Sequence, residues 1–119
     1  MKLGDTFIWF PPDGRKEHLY IVVTDPAKNG GKFAAFNLTR SHGGMKALTF
    51  QVGEHPFITQ YPSDVNFGDA LIMDEVTASK NPPHHPMDSA MVRKIAIGAM
   101  GHPAIPEEVE DMVKTAWGF

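Results

Sequence analysis

The sequence predicts a mainly β protein of the α+β kind, a small antiparallel barrel or sandwich followed by two C-terminal helices. Three observations predict it. Runs rich in β-branched and aromatic residues recur at roughly 8–14-residue spacing between turn signals over the first three-quarters of the chain. A Pro/His stretch, Asn81-Pro-Pro-His-His-Pro86, then breaks that rhythm. Beyond it, apolar side chains return at helical rather than alternating spacing.

The elements follow in order. Thr6–Phe10 (TFIWF) reads as the first strand, stopped by Pro11-Pro12-Asp13-Gly14, because proline cannot donate to a ladder and Asp-Gly favours a turn. Leu19–Thr24 (LYIVVT) is the strongest strand pattern, and its nearly continuous apolar run suits a central place in the sheet. Asp25-Pro26 ends it, and Asn29-Gly30-Gly31 supplies the positive-φ residues of a hairpin into Lys32–Leu38. After Ser41-His42-Gly43-Gly44 come strand patterns at Ala47–Val52 and Ala70–Asp74, with a short element at Phe57–Gln60 between them. Residues 81–86 should be extended, since each proline restrains itself and its predecessor. Asp88-Ser89 offers an N-cap to a helix over Ala90–Met100, with Met91, Ile95 and Ala99 on one face. Gly101-His102-Pro103 stops it, and Pro106 opens a second helix with Glu107 and Glu108 at its positive end and Gly118 closing it. One domain results: barrel 1–80, Pro/His linker 81–86, and a helical tail 87–119 packed on the barrel.

Composition narrows the function. The 119 residues are 42% hydrophobic and 21% charged, an ordinary globular balance. Cysteine is absent, which removes disulfides, a thiolate nucleophile and thiolate metal sites together. No window approaches the roughly 18 apolar residues of a membrane span, and MKLGDTFIWF lacks the basic-then-apolar pattern of a secretory signal, so no membrane partner and a cytoplasmic location are expected. The net charge is −3, which argues against a bulk nucleic-acid coat. The charge is uneven, however. Residues 1–50 hold seven basic and four acidic side chains, while 51–119 hold four basic and ten acidic. Arg15 and Lys16, Lys28 and Lys32, and Arg40 and Lys46 flanking 41–45 make a phosphate-facing rim one reading of that asymmetry; solvated loops are the other.

Gly4-Asp5 before the first strand, a loop with Arg15-Lys16, the strand His18-Leu-Tyr-Ile-Val-Val-Thr24 and Asn37-Leu38-Thr39 closing the next strand resemble the MazF/PemK family over roughly residues 3–76. That family consists of small SH3-like barrel toxins of bacterial toxin–antitoxin modules, many of them sequence-specific endoribonucleases. The resemblance implies an SH3-like barrel, RNA as ligand, an antitoxin-like protein partner and a homodimer. His18 stands where the family carries arginine, Leu19 where it carries proline, and Thr39 where it carries threonine or serine. The family's later basic stretch has no counterpart, since residues 64–75 contain Asp64, Asp69, Asp74 and Glu75 and no lysine or arginine.

In-line attack by a 2′-hydroxyl needs a base, an acid and a cation at the phosphate. His18 and His55, at a strand start and a turn, are the candidate proton-transfer groups, and Thr39 the candidate that orients the phosphate. Arg15, Lys16, Asn37, Arg40 and Lys46 are the candidate substrate-binding residues. Such chemistry would need no metal or other cofactor. His84 and His85 are adjacent on an extended segment and point to opposite sides, so no metal site is expected there. Among the aromatic side chains, alternation sets Phe33 and Phe36 to opposite faces, which leaves one of them as a candidate stacking platform. Two readings stay open: a metal-independent endoribonuclease, or a non-catalytic SH3-like interaction domain that binds protein or nucleic acid.

Overall fold

The computed structural model describes residues 1–12, 14, 16–42 and 47–119. Six strands form one antiparallel half-barrel sheet: β1 (Thr6–Trp9), β2 (His18–Val22), β3 (Lys32–Arg40), β4 (Thr49–Phe50), β5 (Ser63–Asp74) and β6 (Pro83–His84). Their spatial order is β4-β5-β3-β2-β1-β6. Three helices accompany them, a single turn α1 (Glu75–Ala78), then α2 (Ser89–Ala99) and α3 (Glu107–Trp117).

The hairpin between β2 and β3 turns where glycine permits it. Asp25 accepts from the Ala27 amide to start a 3-10 turn over Pro26–Lys28, and Gly30 and Gly31 follow at φ 64° and 84°. Strand alternation then sorts side chains onto two faces. Leu19, Ile21, Ala34, Phe36, Leu38 and Val65 join a large core with Ile95, Ala99, Val109 and Val113 of α2 and α3. Phe7, Tyr20, Val22, Phe33, Ala35 and Met73 join a smaller cluster on the other face, closed by Ala78 of α1. Phe33 and Phe36 do lie on opposite faces, but both are fully buried. The expected stacking platform among them is therefore corrected: each face has its own cover, so neither ring is left over.

β5 departs most from the sequence pattern. It runs twelve residues rather than the five of Ala70–Asp74. Asn66, Gly68 and Asp69 are poor strand formers, which hides it, yet Ser63, Val65 and Phe67 are buried in strict alternation. A bulge accommodates the break: Ala35 pairs with Leu71 and Asn37 with Asn66, so two steps on β3 span five on β5. Of Ala47–Val52 only Thr49–Phe50 is strand, and Phe57–Gln60 forms turns. The Pro/His stretch adds an edge strand, with Thr6 opposite His84 and Phe7 opposite Pro83.

The helices follow their signals. Asp88 accepts from the Ala90 and Met91 amides as the N-cap of α2. Pro106 precedes α3, and Gly118 ends it at φ 72°. The Trp117 indole N–H donates to the Val23 carbonyl at 2.9 Å, tying the end of α3 to the end of β2.

Candidate functional site

Beyond Phe50 the chain does not pass directly to β5. Residues 51–62 form a strap. Its inner bonds run from the Gly53 amide to the Ile58 carbonyl (3.0 Å) and from the Ile58 amide to the His55 carbonyl (2.9 Å). Gly53 sits at φ 90° to make the turn. Ile58 is sunk into the large core, which holds the strap across the sheet. The returning limb, Phe57 to Tyr61, walls a hollow of about 260 Å³ at the end of the sheet where β2 begins, β3 ends and β5 begins.

His18, Thr39, Arg40 and Ser63 line the opposite side of that hollow. The β2–β3 register has Leu19 opposite Leu38, and one step further sets His18 opposite Thr39. Their approach is thus a property of the ladder, although 21 positions separate them in the sequence. The Arg40 guanidinium carbon lies 3.8 Å from the centre of the exposed Tyr61 ring. Among the described residues Arg40 forms no ion pair, and neither the His18 ring nor the Thr39 and Ser63 hydroxyls are engaged by a protein hydrogen bond. An imidazole, two hydroxyls and a guanidinium thus face one opening, the guanidinium against the Tyr61 ring and, among the described residues, none of the four held by an ion pair or side-chain hydrogen bond. A structure that has no use of its own for converging polar groups leaves them for a ligand.

His55 is placed differently. It is 2% exposed and outside the hollow's lining. Its Nδ1 accepts from the Phe57 amide at 3.1 Å, and its Nε2 lies 2.8 Å from the His85 carbonyl. Nδ1 is the acceptor, so the proton sits on Nε2, which donates. Both nitrogens are occupied.

Asn37 is also set back. It is 1% exposed, its Nδ2 donates to the Tyr20 hydroxyl at 3.0 Å, and its Oδ1 is buried without a partner. It supports the sheet beneath the hollow. Lys16 is exposed on the β1–β2 connection and does not line the hollow. Arg15 and Lys46 lie outside the described residues. Asp64, opposite Thr39 in the β3–β5 ladder, accepts from the Thr49 hydroxyl at 2.6 Å.

His84 and His85 reach the strap rather than solvent alone. The His84 ring lies 5.5 Å from that of His55 and meets Phe57 edge-on at 5.7 Å. Burial, then the neighbouring His55 and His85, hold the His84 imidazole below its ordinary pKa. Among the described residues no group of three or more histidines and carboxylates could hold a metal ion, and no helix is long and apolar enough to cross a membrane.

The sequence reading missed the strap's contribution. Tyr61, Gln60 and Thr59 are exposed hollow-lining residues, the last two in Phe57–Gln60, which the pattern marks only as a short element. The available signal was an aromatic in an otherwise polar turn, Tyr61-Pro62, seven residues after a glycine-acidic pair. No protein-family model matches this chain, and no curated protein matches it either.

Proposed function

We propose that the protein is a divergent MazF/PemK-like, SH3-like barrel protein that binds single-stranded RNA at the hollow between β2, β3 and the strap. One observation carries the reading: Arg40, His18, Thr39 and Ser63 face a single opening, among the described residues without ion pairs or side-chain hydrogen bonds, beside the exposed Tyr61. A guanidinium and hydroxyls suit a phosphate. An exposed aromatic suits an unpaired base, whose stacking is tolerant of sequence. The groups the resemblance points to, His18 and Thr39, are the pair the ladder sets side by side.

Cleavage is the stronger form of the same reading. A 2′-hydroxyl would attack the adjacent phosphorus and pass its proton to His18, giving a cyclic phosphate and releasing a 5′-hydroxyl that takes its proton from water. Arg40 would balance the charge on the phosphoryl oxygens. His55, enclosed and doubly bonded, does not serve as the second proton-transfer group in this geometry. That observation favours binding over efficient cleavage.

The test is fluorescence polarisation with a labelled single-stranded oligoribonucleotide at low salt. Arg40→Ala and Tyr61→Ala should each weaken binding by about tenfold, and affinity should fall as salt rises. Equal binding by the wild type and both variants, or no binding at low salt, sinks the proposal. Metal-independent RNA cleavage that disappears in His18→Ala would add nuclease activity; intact RNA on bound protein leaves a binding module.

A further inference from the structure

We infer that His55 is a positioning residue, a proton-sensitive clasp that holds the strap in place and thereby shapes the wall of the hollow. The consequence for RNA rests on the function proposed above; the clasp itself does not.

The argument is one of connection. The strap carries Phe57 to Tyr61, the wall of the hollow that faces His18, Thr39 and Arg40. Ile58 is its apolar anchor. Its far end is tied by the Ser41 amide, which donates to the Pro62 carbonyl at 2.9 Å, and by Arg40 over the Tyr61 ring. Its near end is tied by the bond from His55 Nε2 to the His85 carbonyl, just past edge strand β6. That carbonyl also accepts from the Thr6 hydroxyl at 2.6 Å, so one acceptor joins the strap, β1 and the segment after β6. On the strap side, Nδ1 receives the Phe57 amide, which fixes the turn into the wall. One imidazole therefore sets both where the strap docks and how its wall begins.

Both bonds demand the neutral ring. A proton added at Nδ1 would point at the Phe57 N–H, turning an acceptor into a second donor and leaving the amide without its partner. The surroundings offer no compensation. The ionisable groups facing His55 from the β6 side are His84 and His85. On its own loop the Glu54 carboxylate is turned to the Gln51 amide at 2.6 Å. Thr6 is the neighbouring contribution from β1 and carries no charge. Among the described residues no carboxylate lies within ion-pair distance of any of the three rings. Nδ1 of His84 is itself buried without a partner. Acid therefore works against the clasp, and the turn into Phe57 and Ile58 is the part loosened.

Amide hydrogen exchange on the full chain reads this without any ligand. Protection of the Phe57 and Ile58 amides, corrected for intrinsic exchange, should drop by about tenfold between roughly pH 7.5 and pH 5.5 while the β2–β3 ladder keeps its protection. His55→Gln, an uncharged donor that can still reach the His85 carbonyl, should remove that pH response. Nitrogen NMR of the wild-type ring supplies a check that needs no variant, with Nδ1 unprotonated and Nε2 protonated at neutral pH. Unchanged Phe57 and Ile58 protection, a pH response that survives in His55→Gln, or the opposite tautomer overturns the clasp. An acid-loosened turn in a protein that binds no oligoribonucleotide at either pH overturns the RNA reading and leaves the clasp standing.

Discussion

Close approaches decide the role of several single residues. Gly98 lies on the face of α2 that meets the β5 bulge, and a Cβ built on it would come within 3.0 Å of the Phe67 ring. That ring cannot swing aside, because it is stacked on His102 at 4.5 Å and set edge-on to Phe36 at 5.8 Å. Alanine would gain about 1 kcal/mol of helix propensity over glycine, but crowding a packed core costs about 1–3 kcal/mol. Gly98→Ala should therefore lower stability by about 1 kcal/mol net, measured as a shifted urea midpoint at unchanged slope. Gly4 is constrained by conformation as well as space. It sits at φ 86°, donates to Val22 and accepts from Met87, and a Cβ would stand 3.1 Å from the Met87 carbonyl. Gly4→Ala should cost about 1–3 kcal/mol and loosen the junction between β1 and the segment leading into α2.

At the scale of elements, α3 is held by apolar burial of Val109 and Val113 and by two polar tethers, the Glu110 carboxylate accepting from the Gly101 amide at 2.6 Å and, at its C-terminal end, the Trp117 indole bond to the Val23 carbonyl. Trp117→Phe keeps an aromatic ring and removes the donor, so it should cost about 1–2 kcal/mol and raise amide exchange in the last turn of α3 before that of α2. Exchange spread evenly over both helices would show that the tether is not what fixes this end. The same scale shows what the sequence made legible. The helices and the β2–β3 hairpin are announced by local chemistry: Asp88 at a cap, Pro106 at a first turn, Gly118 in the left-handed region, Gly30-Gly31 at positive φ. β5 is not, because its alternation is carried by Ser63, Val65 and Phe67 while asparagine, glycine and aspartate fill the other positions, and its bulge has meaning only against β3. The edge strand β6 is invisible for a similar reason: two residues of a Pro/His stretch become strand only because β1 supplies the ladder. The hollow was half legible. The approach of His18 to Thr39 follows from hairpin register, which the sequence implies. The fourth wall is a loop folded back by one buried imidazole, and the long-range bond from His55 to the residue 30 positions later leaves no local trace.

Over the whole molecule, the distribution of protonatable groups sets the response to pH. Among the described residues one ion pair is present, between the Met1 amino group and Glu75, so paired carboxylates contribute little to acid sensitivity. The imidazole cluster supplies that sensitivity instead. His84 has its pKa pushed below 6.5 in the folded chain, first by burial and then by His55 and His85. In the unfolded chain that ring takes its proton near the ordinary histidine value of about 6.5. Between the two values the unfolded state binds more protons than the folded one, so unfolding becomes easier as pH falls through that window. The contribution is fully present above about pH 6.5 and is lost progressively below it. Urea midpoints should accordingly be flat from about pH 8 to pH 7 and should fall from about pH 6.5 toward pH 5. His84→Gln removes one of the titrating rings and should flatten that fall, with no comparable change near pH 8. A stability curve that rises on acidification, or one whose slope His84→Gln leaves unaltered, would mean that the cluster is not the source of the acid sensitivity.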